Sequence, residues 1–153
     1  MHRIIGFQRR LAESGAFTDP RSHIYYLPEL YSAYFGRCHA AFMTLPQAAR
    51  QAIDPDGAFE FIRGKVLAYV ESELIAREMN AFDAALALMA LAHLGADPTT
   101  FTPALHCIVN HLGEGGRHGP YKAYEWNKMK TPTRILVGGP EVTSAFVLMG
   151  NWL

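Results

Sequence analysis

The chain has 153 residues, half of them hydrophobic and 12% aromatic, enough for one domain with a sizeable core and too apolar for a disordered segment. Fourteen basic and fourteen acidic side chains cancel, so no global field recruits nucleic acid or anionic lipid. Cys38 and Cys107 are too few for a disulfide framework, which predicts free thiols in a reducing compartment.

In chain order, Ile4, Ile5, Phe7, Leu11 and Phe17 recur at helical spacing until Asp19-Pro20-Arg21-Ser22 breaks the pattern. The start of the chain has no uninterrupted apolar core of the length a secretion signal needs. From His23 to about Gly36 an aromatic, apolar run predicts a second, buried helix beginning near Pro28. Cys38 to Ala52 reads as another helix divided by Pro46, and Asp54-Pro55-Asp56-Gly57 is a turn.

Phe59, Ile62, Val66, Tyr69, Val70, Leu74 and Ile75 mark one face of a long amphipathic helix, with Glu60, Arg63, Glu71, Glu73, Arg77 and Glu78 on the other. That division predicts an outer helix. Asn80 is placed as an N-cap, Asp83 as its capping-box partner, and Gly95 as the left-handed residue ending the helix between them. This helix, from Ala81, is apolar on nearly every side. Its longest apolar stretch, Ala84 to Ala92, falls far short of the roughly 20 residues that span a bilayer, so a soluble, cytoplasmic protein is expected.

Thr102 and Pro103 open a short helix from Ala104 to Leu112. Gly113 to Pro140 carries six of the thirteen glycines and little periodicity, and reads as a long ordered loop at about 113–139. Within it only Arg134-Ile-Leu-Val137 resembles a strand, too short to carry a sheet. Gly139-Pro140-Glu141 opens the last helix, with an acid near the positive end of its dipole. The fold class expected is all-α, in a single helical domain over 1–153.

The helix starting at Ala81 is written a second time near the C-terminus. Setting Leu88-Met89-Ala90 over Leu148-Met149-Gly150 also lays Ala85 on Ala145 and Phe82 on Val142, an offset of 148 − 88 = 60 residues. Recurring apolar helices must be covered by other helices, which predicts a layered helical array. The segments Ser22 to Tyr34, Phe82 to Leu91 and Gly138 to Met149 resemble successive inner helices of the α/α-toroid superfamily, which includes squalene and hopene cyclases, class II terpene cyclases and protein prenyltransferase β subunits. The resemblance implies paired inner and outer helices in an incomplete α/α-toroid or curved array, with inner helices enclosing an apolar cavity for an isoprenoid-type ligand. Fewer helices are present than a complete barrel needs, and the sequence stops at Gly150-Asn-Trp-Leu153 within what resembles an inner helix. A part of a barrel, or a shortened one, is therefore expected.

The Asp-x-Asp-Asp motif of class II cyclases is absent, and the Asp, Cys and His that hold zinc in prenyltransferases cannot be placed together. Neither set of catalytic residues carries over. If chemistry occurs, terpenoid cyclisation or prenyl transfer is the class implied, with Asp83 as the acid and His23, Tyr25, Tyr26, Tyr124 and Trp126 as walls of the ligand site. The structural alternatives are a helix cap for Asp83 and ordinary core for the aromatics, including Tyr31 and Tyr34. Cys107 and His111, four apart, raise a zinc alternative, but His106 points about 140° away from His111 on an ideal helix. The Gly113 to Pro120 stretch follows no strand and lacks a Walker or dinucleotide spacing, so it reads as a connector. No cofactor and no metal is assigned. The rival to an enzyme is a non-catalytic interaction protein whose apolar faces pair with a second copy or another subunit, giving a homo-oligomer.

Overall fold

The computed structural model describes residues 2–19, 27–113, 118–119, 124–127, 134–137 and 140–151. These residues are predominantly helical. The helices are α1 (His2–Glu13), α2 (Pro28–Met43), α3 (Gln47–Ile53), α4 (Ala58–Tyr69), α5 (Ala81–Leu94), α6 (Thr102–Asn110) and α7 (Pro140–Asn151). Two short strands, β1 (Tyr124–Asn127) and β2 (Arg134–Val137), pair antiparallel with Tyr124 opposite Val137 and Asn127 opposite Arg134. The segment expected to be loop thus contains a hairpin, and Arg134 to Val137, the one stretch with strand character, is half of it. Four residues per strand gave too little alternation to reveal the partner.

α5 is the centre of the molecule. Ala81, Phe82, every residue from Ala84 to Leu91 and Leu94 are buried, so the helix that is apolar all round is covered all round, by α2, α6, α7 and α4. The polar ends of α5 are set as the sequence implies. Asn80 Oδ1 accepts from the backbone N–H of Phe82 at 2.9 Å and of Asp83 at 3.0 Å, and Gly95 takes φ 67° at the C-terminal end. Asp83 returns no bond to the Asn80 backbone; its Oδ2 accepts from the Asn80 side-chain amide at 3.1 Å instead. Asn80→Ala is expected to lower stability by about 1 kcal/mol, measured as a shift in urea midpoint with unchanged slope.

Helix directions follow from contacts at both ends. Leu30 and Ala33 of α2 pack with Phe82, Leu86 and Met89 of α5, while Gly36 meets Ala90 and His93, so α2 and α5 run parallel. α4 runs against both: His39 Nε2 near the end of α2 lies 2.8 Å from Glu60 Oε1 at the start of α4, and Arg63 Nε donates to the Leu94 carbonyl at 2.8 Å. α6 also opposes α5, because Cys107 near its end donates to the Met79 carbonyl just before α5.

Gly36 does not end the second helix, which continues to Met43. A Cβ there would sit 3.3 Å from the Cβ of His93 and 3.4 Å from the backbone of Ala90, so the glycine lets two helix backbones approach. The predicted outer helix is α4, with Ile62, Val66, Tyr69, Val70 and Leu74 inside. It ends sooner than Glu78: after Tyr69 the turn widens into a π-turn over Val70–Leu74, closed by Ile75 N–H to the Val70 carbonyl. α1 packs on α4. Aromatic rings line α2 and tie it to its neighbours: Phe17 lies 5.3 Å from Tyr31, Tyr31 stacks toward Phe35, and Phe42 stacks on Phe59 of α4 at 4.1 Å. No helix among the described residues is long and apolar enough to cross a membrane.

Candidate functional site

Parallel packing of α2 and α5 brings their first turns together, and charged side chains converge there. Glu29, in the first turn of α2, is 4% exposed. Its carboxylate accepts from the guanidinium of Arg77, which arrives from the chain between the π-turn and α5. The same guanidinium lies 3.8 Å from Asp83 Oδ2. Arg77 thus bridges two carboxylates from two helices. Burial works against its charge, but Glu29 first, then Tyr69 and Asp83, outweigh it and push the guanidinium pKa up.

The neighbouring acidic protons are held in place. Burial, reinforced by the Glu29 charge, pushes the Tyr69 phenol up to about 12. The Cys107 thiol is also pushed up, first by burial and then by Asp83, while it donates to the Met79 carbonyl at 3.2 Å. His111 Nδ1 lies 2.8 Å from the Cys107 carbonyl oxygen, so this nitrogen carries the hydrogen and donates. It cannot then take the thiol proton at 3.5 Å. No thiolate–imidazole pair forms, and among the described residues no group of three histidine, cysteine or acidic side chains could hold a metal ion.

Asp83, the sequence's candidate acid, is therefore tied to the Asn80 amide and faces Arg77. In this arrangement the carboxylate accepts from one neighbour and faces the cation of the other, which anchors the start of α5. Of the proposed wall residues, His23, Tyr25 and Tyr26 lie outside the described residues, as do the side chains of Tyr124 and Trp126, whose backbone forms β1. Tyr31 packs into the core beside Phe17, and Tyr34 is 47% exposed. Sequence reasoning missed Glu29 and named Arg77 only as part of a solvated face. The available signal was a lone acid after Pro28 in an otherwise apolar, aromatic run.

Titration should report this burial. Tyr31, like Tyr69, is pushed up to about 12 by burial. A phenol with a raised folded pKa stabilises the fold fully below its ordinary value near 10, and that contribution is lost as pH rises through about 12. His93 acts in the opposite direction. Burial, then Arg37, lowers its pKa from 6.5, so its contribution is present above that value and lost as pH falls. Urea midpoints across pH are expected to fall at both extremes, with tyrosinate absorbance lagging behind that of the unfolded chain in alkali. Tyrosinate rising in full near pH 10 without unfolding would contradict the buried phenols.

α6 supplies a different kind of site. Ala104 and Ile108 face the core, while Leu105, Val109 and Leu112 are 41%, 66% and 51% exposed. Leu105 and Val109 stand one turn apart and Leu112 follows just past the helix end, so the apolar arc is wider than the part α5 covers. Residues 102–113 contain no Lys, Arg, Asp or Glu. The cleft lined by Ile5, Gly6, Arg9, Ile53, Asp54, Pro55, Asp56 and Ala58, between α1 and the turn before α4, is small and open to solvent. No family model matches this chain, and no curated protein or solved structure matches it.

Proposed function

We propose that this chain is a non-catalytic helical docking module that pairs with a second copy of itself through α6. The carrying observation is the exposed Leu105, Val109 and Leu112 row on a helix whose other face is already buried. Soluble surfaces rarely leave such a row uncovered without a partner. Because residues 102–113 have no permanently charged side chain, the same face can meet its own copy across a two-fold axis without like-charge repulsion. A partner selected by charge would find nothing to read there. A contact of this size fits a weak, reversible dimer better than an obligate one.

Sedimentation or light scattering across a concentration series tests this reading. The expected result is a monomer–dimer equilibrium that Val109→Asp abolishes while helical circular dichroism is unchanged. A monomer throughout the series for the unaltered chain would overturn it.

A second reading retains the toroid kinship: a section of paired-helix wall that holds an isoprenoid chain. Its support is the parallel run of α2 and α5 with α4 and α6 antiparallel to them, the local order of such a wall. Incubation with farnesyl diphosphate or squalene should then produce saturable binding, and its absence removes this reading. Asp83→Asn is expected to affect stability rather than turnover, since the carboxylate is engaged as an anchor.

A further inference from the structure

α1 is a basic amphipathic helix whose apolar face is only partly used. Ala12, Ile5 and Gln8 turn toward the interior, and Arg9 lies over the Phe61 ring at 5.2 Å while pairing with Glu13 at 2.9 Å. Ile4, on the flank of that buried side, is 67% exposed, and Phe7, farther round the helix, is 51% exposed. Arg3, Phe7 and Arg10, at i, i+4 and i+7, share one side next to Ile4, and both arginines are exposed. Glu13, the one acid of α1, is engaged by Arg9, and among the described residues no acid pairs with Arg3 or Arg10.

We infer that the solvent face of α1 binds anionic lipid bilayers, with Phe7 and Ile4 entering the acyl boundary and Arg3 and Arg10 resting on the headgroups. Two kinds of group that differ in what they require lie side by side: side chains that gain by leaving water, and cations that gain by meeting negative charge. The interface of an anionic bilayer offers both at once. A nucleic acid would satisfy the arginines and leave Ile4 and Phe7 wet. The neutral net charge of the whole chain does not oppose this, because charge attraction at a membrane is local to about a Debye length. The inference is independent of dimerisation through α6.

Flotation of the full chain with vesicles at low salt provides the test. Binding is expected to vesicles of phosphatidylcholine with phosphatidylserine and to be absent with phosphatidylcholine alone. Ile4→Ser with Phe7→Ser should weaken partitioning about tenfold, and Arg3→Glu with Arg10→Glu by about the same factor. These side chains are exposed, so circular dichroism should show both variants folded. Val109→Asp should float like the unaltered chain. No flotation with phosphatidylserine vesicles would overturn the inference. So would flotation that survives loss of Ile4 and Phe7 but not of the arginines, which is simple charge adsorption open to any polyanion.

Discussion

Arg77→Leu is expected to destabilise the fold by about 3 kcal/mol, the lower part of the range for breaking a buried ion pair. The lower part applies because the Arg77 side chain is 44% exposed, whereas that of Glu29 is 5% exposed. Removing the guanidinium strands the Glu29 carboxylate inside, next to the Tyr69 ring, and takes away the cation 3.8 Å from Asp83 Oδ2. Glu29→Gln should cost less, since Arg77 can then turn toward water and keep Asp83 in reach. Glu29→Leu combined with Arg77→Leu should recover much of the loss, because no charge then remains buried. Urea denaturation of the three variants distinguishes these cases. If Arg77→Leu proves milder than Glu29→Gln, the burial asymmetry does not control the pair.

Phe82→Ala is expected to cost about 3–5 kcal/mol, the usual range for deleting a fully buried phenyl ring. Phe82 has 0% exposure and its ring meets Phe146 of α7 edge-on at 5.1 Å. Leu86 and Met89 form the rest of that contact with Ala33 of α2, so the cavity would open where α2, α5 and α7 meet. Leu148→Ala on the exposed side of α7 is the control and should stay within about 0.5 kcal/mol. Equal effects from the two substitutions would mean that α7 does not dock on α5 through Phe146.

What could be read in the sequence was local. The all-round apolar character of Ala81 to Leu94, its asparagine cap and its glycine stop lie within one stretch of chain, and the structure repeats them. The stripe from Ile62 to Leu74 is equally local and marks the buried side of α4 and the π-turn. The features that could not be read join distant residues. Arg77 meets Glu29 across 48 positions, and no periodicity encodes that distance. Gly36 resembled a helix stop because its role is set by Ala90 and His93 on another helix. The π-turn after Tyr69 has no residue signature, and the hairpin strands were too short to show one. The α6 row was visible as apolar residues, but its exposure depends on which arc α5 covers.

The parallel pairing of α2 with α5 bears on the order of assembly. Parallel neighbours cannot be joined by a tight turn, so the chain must first travel back along α4. α4 and α5 are separated only by the π-turn and a few further residues, and can zip together as a local hairpin. α2 meets the Ala90 and His93 surface across 90 − 36 = 54 residues, so its arrival closes a far longer loop than the α4–α5 hairpin does. Backbone amides of α2 should therefore gain protection after those of α5 during refolding, and Gly36 is where the late arrival seats.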